Sequence, residues 1–257
     1  MKRSFCCTEF TLKIIAMVFM VVDHIHSYLR IGPEWISLLP RFVAPLFVYF
    51  LVEGFYHTRN WKKYFQRIFT FACIMLAGNM VINYMFHSVN YATGEMDFYA
   101  LQQGNNIFLT LSVYLLILKL LQTATVNKGA KKYSSILGIL ILSLISLPFC
   151  EGSFYLLPLL FVFYFGYNRK KFAYAGVIAW SVLLLIKACL SYYSGGTGIS
   201  LFSTLCFDSE WAMIAVILPI YLYSGQRGVN SNVSKWLFYV VYPAHLWVLM
   251  ILAKVLH

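Results

Sequence analysis

The stretch LKIIAMVFMVVDHIHSYLR, residues 12–30, sets Asp23, His24 and His26 inside an apolar run. A carboxylate beside an imidazole is the arrangement of a tuned base, because the acid orients the ring and stabilises its protonated form. Such a pair can take a proton from a hydroxyl or an amine, or let the ring carry an acyl group. Helical spacing puts Asp23 and His26 on one face and turns His24 about a quarter-turn away. An Asp at the centre of a bilayer costs roughly 2.5 to 3.5 kcal/mol on insertion scales, so ionisable residues there are read first as functional.

Other polar residues recur inside apolar runs. Arg41 lies between Pro40 and Pro45, and Asn79 and Asn83 fall one helical turn apart. GNNIFLTL places Asn105, Asn106 and Thr110 at the start of a further run, and FYVVYPAHLW carries His245 one turn after Tyr242. Arg41 and Asn106 are candidate donors to an oxyanion or a substrate. His26, Asn79, Asn83, Asn105, Thr110 and His245 are candidate substrate-binding groups. A second cluster, EGFYHTRNWKKYFQR, gathers Glu53, His57, Arg59, Asn60, Lys62, Lys63 and Arg67 into a basic mouth suited to a phosphate-rich donor. Each has a structural alternative. Basic loops set topology, a membrane Asn commonly joins helices, and Asp23 with Arg41 would serve as a buried pair between two helices. The six cysteines show no metal-ligand spacing. They read as small apolar filling, with a Cys150–Cys206 disulfide the weaker alternative.

The elements that must position these groups follow from composition. Of 257 residues 61% are hydrophobic and 11% charged, far from the quarter or so charged in soluble domains. Runs of crossing length fall at 12–30, 36–57, 65–86, 105–122, 133–150, 152–168, 172–193, 209–224 and 234–256. The expectation is an all-α polytopic bundle of about nine membrane helices, a single domain over residues 1–257. The first run is too long for a cleaved leader and contains Asp23. About 16 of the 20 Lys and Arg lie in or beside alternate connections, which places the amino terminus in the cytoplasm and the carboxyl terminus outside. The net charge of +11 is therefore a topology signal that also attracts anionic lipid, and it does not point to nucleic acid.

LKIIAMVFMVVDHIHSYL, PRFVAPLFVYFLVEGFYHTRNWKKYFQR, NNIFLTL and KWLFYVVYPAHLW occur in an order, and over most of the chain, that resembles the TraX family. The resemblance implies a bacterial inner-membrane protein, similar to membrane acyltransferases that draw on cytoplasmic acyl-CoA and typified by a protein associated with pilin amino-terminal acetylation in conjugation. It implies roles for Asp23 and His24 as its Asp-His pair. It implies the same for Glu53, Gly54, His57, Arg59, Asn60 and Lys63, for Asn105, Asn106 and Thr110, and for Pro243 and His245. His26 departs from the pattern, where a small residue is commoner, and leaves two candidate histidines. The expected function is transfer of an acetyl group from acetyl-CoA, bound at the basic mouth, to an extracytoplasmic peptide or surface glycopolymer. His24, oriented by Asp23, is the expected base or acyl carrier. A proton-coupled transporter relaying protons through Asp23 and His26, and a non-catalytic assembly factor for pilin or another membrane peptide, are the rival expectations.

Overall fold

A computed structural model describes residues 7–90, 92–195, 198–229 and 231–256, with the side chains of 232–235 left aside. Lys2, Arg3 and Cys6 lie outside the described residues, as does the side chain of Lys235. The described chain is helical. In order it forms α1 (Glu9–Leu29), a 3-10 helix (Glu34–Phe42), α2 (Val43–His57), α3 (Trp61–Met85), α4 (Phe98–Gln102), α5 (Ile107–Val126) and α6 (Ala130–Phe149). There follow α7 (Ser153–Phe165), α8 (Lys170–Gly195), α9 (Leu201–Phe207), a second 3-10 helix (Ser209–Val216), α10 (Ile217–Leu222) and α11 (Asn232–Leu256).

Among the described residues, seven helical stretches are long and apolar enough to cross a bilayer: Glu9–Leu29, Glu34–His57, Trp61–Met85, Ile107–Val126, Ala130–Phe149, Lys170–Ser194 and Trp236–Leu256. This is a multi-pass membrane protein. Two expected spans take other forms. The run at 152–168 is helical for only 13 residues, Ser153–Phe165. The run at 209–224 joins Leu201–Phe207 to make a pair of helices bent by 62°. Pro158 lies inside α7, where a missing N–H weakens the hydrogen-bond ladder.

The chain packs as two compact units, one of residues 1–50 and 158–240, the other of 51–157 and 241–257. In the first unit the two 3-10 helices pack on each other, one against α1 and the other against α8. Nine residues is long for a 3-10 helix. Pro40 within it supplies no N–H, and Ser37 Oγ donates to both Glu34 O (2.8 Å) and Cys206 O (2.7 Å). Thr8 caps α1 through Oγ, which accepts from the Thr11 N–H. Just before it, Cys7 N donates to Leu222 O (2.8 Å) and Ser224 N to Cys7 O (2.9 Å), a short parallel pairing that brings the start of α1 and the end of α10 to one side. Lys187, near the end of α8, pairs with Asp208 at 2.8 Å.

The second unit is built on α5, which packs against both α3 and α6. Tyr114, fully buried on α5, reaches Ser153 Oγ at 3.2 Å, and Ser153 Oγ donates to Ser146 Oγ at 2.8 Å. These hydroxyls pin the α6–α7 connection. Cys150 and Cys206 are both free thiols.

Candidate functional site

In the second unit α5 starts deep. Asn106 caps it, its Oδ1 accepting from Leu109 N (3.2 Å), while its Nδ2 donates to Ala72 O (3.0 Å). Ala72 is eleven residues into α3, about 16 Å along a helix roughly 37 Å long. Further along α5, Lys119 lies over the Trp61 ring at the start of α3 (5.7 Å). Residues 101–106, the end of α4 and the non-helical 103–106 after it, therefore run down beside α3, and hydrocarbon tolerates such non-helical backbone only where protein satisfies its polar groups.

Asn83 and Asn79, both buried, supply that satisfaction. Asn83 Nδ2 donates to Leu101 O (3.0 Å) and Gln103 O (2.8 Å), and Asn79 Nδ2 donates to Asn105 O (3.4 Å). A side chain on Gly104, at φ +128°, would put its Cβ 2.8 Å from Asn79 Nδ2, so the close passage needs glycine. The two amides expected as substrate groups hold backbone carbonyls here.

At the foot of this segment sits Glu151, in the turn between α6 and α7. Its Oε1 accepts from Asn105 Nδ2 (2.6 Å), its Oε2 accepts from the Tyr242 hydroxyl (3.2 Å), and its backbone oxygen accepts from Thr110 Oγ1 (2.9 Å). The Tyr242 hydroxyl in turn accepts from Ile107 N, the first N–H of α5 (3.2 Å). One turn on, the His245 ring lies 5.8 Å from that of Tyr242. His245 Nδ1 is 2.7 Å from Val241 O. A carbonyl only accepts, so Nδ1 carries the proton and Nε2 of the neutral ring keeps its lone pair. Carboxylate, phenol and imidazole thus meet at the amino end of a helix, where the dipole favours developing negative charge.

Asn105, Asn106, Thr110 and His245 lie together around this centre. Glu151 and Tyr242 are what organises them, and neither was among the expected site residues. The signal in sequence is faint: Glu151 is an acid at the break between two apolar runs, and Tyr242 shares a turn with His245.

The basic mouth occupies the start of α3 in the same unit. Asn60 caps the helix, accepting from Lys63 N (3.1 Å), and Arg59, Lys62 and Lys63 are exposed. Arg67 lies over the Tyr64 ring (5.6 Å). A Cβ on Gly54 would stand 2.9 Å from the Tyr64 hydroxyl, so Gly54 makes room for that ring. His57 Nδ1 donates to Glu53 O (3.0 Å) and lies 3.8 Å from Glu53 Oε1, a pair one turn apart on α2.

Asp23, His24, His26 and Arg41 belong to the first unit. The charged groups acting on Asp23 are Arg41 and His26, and Asp23 Oδ1 is buried with no hydrogen-bond partner. Arg41 Nε donates to Ser37 O (2.9 Å), and His26 Nδ1 donates to Ile31 O (2.8 Å) just past the end of α1. His24 is buried with its ring edge-on to Tyr28 (6.4 Å). The expected site residues thus fall into two sets, one in each unit.

Residues 9–253 match the family described as TraX protein. The chain is similar to a protein of Dichelobacter nodosus named probable fimbrial assembly protein FimC, serogroup H1, with 28% identity over 263 aligned positions covering 96% of each chain. No solved structure matches.

Proposed function

The chain belongs to the TraX family, and on that premise we propose that it is a membrane acyltransferase serving pilus-type assembly. It takes an acetyl group from cytoplasmic acetyl-CoA and passes it to an acceptor on the opposite side, a pilin amino terminus or a surface polymer. The family and the relative's name support a pilus-related role. The chemistry rests on one observation: the basic mouth starts α3, and the amino end of α5 beside the Glu151 centre is tied to Ala72 of that same helix. From Lys63 to Ala72 is nine residues of α3, about 14 Å.

In this scheme Arg59, Lys62 and Lys63, with Arg67 behind them, bind the donor phosphates. His245 Nε2 removes the proton as the acceptor amine or hydroxyl attacks the thioester carbonyl. The oxyanion forms at the amino end of α5, where the helix dipole favours it, and the thiolate leaves and takes a proton. Glu151 fixes Tyr242 and Asn105. A second reading, proton-coupled transport, draws on the unpartnered Oδ1 of Asp23 beside Arg41 and His26.

Inverted membrane vesicles given acyl-labelled acetyl-CoA separate these readings. Wild-type vesicles should label a product or the protein itself. His245→Ala and Glu151→Gln should lower the rate by about 10² or more, the usual contribution of a general base. His24→Ala and Asp23→Asn should retain most of it. Loss confined to the last two variants would move the chemistry to the first unit. Vesicles that transfer no label but take up protons in an Asp23-dependent way would replace acyl transfer with transport.

A further inference from the structure

The part of α11 within the second unit holds the 101–106 segment at three levels. Lowest, the Tyr242 hydroxyl accepts from Ile107 N. Next, Trp247 Nε1 donates to Asn79 Oδ1 (3.1 Å), and Asn79 Nδ2 donates to Asn105 O. Highest, Lys254 Nζ donates to Ser88 Oγ, Ser88 Oγ donates to Asn83 Oδ1 (2.9 Å), and Asn83 Nδ2 donates to Leu101 O and Gln103 O. The order is in register: 242, 247 and 254 on the helix answer 107, 105 and 101–103 on the segment.

We propose that Trp247 and Lys254 are positioning residues of the Glu151 centre, acting through Asn79 and Asn83 on the 101–106 segment that carries Asn105. The carbonyls of 101, 103 and 105 are held by two side-chain amides, Asn79 oriented directly by Trp247 of α11 and Asn83 by Ser88, which Lys254 of α11 holds. An amide whose oxygen accepts from Trp247 or Ser88 must turn its NH₂ toward the segment. Without that donor the amide can flip, and an N–H facing a carbonyl becomes an oxygen facing a carbonyl. Packing reinforces the middle pair. A Cβ on Gly78 would lie 2.1 Å from the Trp247 ring, so the indole is seated directly on the α3 backbone beside Asn79. Asn105 is the donor to Glu151 Oε1 (2.6 Å), so a shift of the segment reaches the carboxylate in one further bond. The bearing of this device on catalysis rests on the acyl-transfer reading; the device itself does not.

The test uses the full chain in cells, with Gln103→Cys as a reporter and the parent lacking that cysteine as the blank. A membrane-impermeant maleimide added outside measures how often the segment leaves α3. Trp247→Phe keeps an aromatic ring but loses the N–H with part of the indole, Gly78→Ala displaces the ring, and Lys254→Met removes the upper donor. Each should speed labelling about tenfold, the change in opening equilibrium for one lost hydrogen bond, and Lys254→Arg should restore the slow rate. Unchanged labelling in Trp247→Phe and Lys254→Met, with the variants present at wild-type level, would overturn the proposal. In the transfer assay the same variants should lower kcat while leaving KM for acetyl-CoA near wild type. Faster labelling in a protein whose wild type transfers nothing would uphold the positioning device and sink the acyltransferase reading alone.

Discussion

Asp97 and Glu151 are both carboxylates held by amide donors, and their settings give them different work. Asp97 caps α4 from an exposed loop: its Oδ2 accepts from Asn90 Nδ2 (2.7 Å) and its Oδ1 from Ala100 N (2.8 Å). Those bonds, the one from Asn90 first, hold its carboxyl below the usual carboxylate range. A carboxyl whose pKa is lower folded than unfolded stabilises fully above the unfolded value, near 3.9, and loses that effect as pH falls through the folded one. Protection of the Ala100 amide from hydrogen exchange should therefore persist to below about pH 4. Asn90→Ala should move the loss to higher pH, and coincident profiles for the two proteins would refute this account. Glu151 instead joins groups far apart in sequence, Asn105, Thr110 and Tyr242. That distance is why it escapes a reading of local pattern. Asn105, Asn106 and His245 carry recognisable motifs, whereas Glu151 is a single acid in a turn and becomes visible only when its three partners converge on it.

At the level of elements, hydropathy located the apolar runs, because crossing a bilayer demands length and composition together. It could not show which runs break. The runs at 152–168 and 209–224 look continuous as hydropathy although their helices are short or bent, and the 101–106 segment reads as an ordinary loop until Asn79 and Asn83 are seen to hold it. The short α7 is kept against α8 by close approach. A Cβ on Gly176 would fall 2.7 Å from Val162 Cγ1 and 2.8 Å from Cγ2. Small residues at such crossings let helix backbones approach where no hydrophobic drive exists between helices in lipid. Gly176→Ala should thus destabilise by about 1–3 kcal/mol through overpacking, read as a lower melting temperature in detergent. Adding Val162→Ala should recover most of the loss, since it deletes the two methyl groups that collide. A double variant no more stable than Gly176→Ala would show that Gly176 matters for another reason.

For the whole molecule, the number of crossings is constrained by parity. Cys7 pairs with Leu222 and Ser224, so the start of α1 and the end of α10 face the same side. An even number of crossings must separate them. The stretches Glu9–Leu29, Glu34–His57, Trp61–Met85, Ile107–Val126, Ala130–Phe149 and Lys170–Ser194 account for six. The short α7 and the bent pair Leu201–Phe207 with Ser209–Leu222 must then both cross or both fail to cross. Arg169, Lys170 and Lys171 decide between these. With α7 crossing, they lie on the side of the other basic connections; without it, three positive charges lie opposite, against the rule that sets orientation. The charge rule thus predicts that both cross, with α11 the ninth. A cytoplasm-dependent fluorescent reporter fused after Tyr167 should be active, as should one after Arg59, while an export-dependent phosphatase should work after Gly94 and Gly198. Phosphatase activity after Tyr167 would mean that α7 turns back, and by the same parity that the bent pair does too, leaving seven crossings.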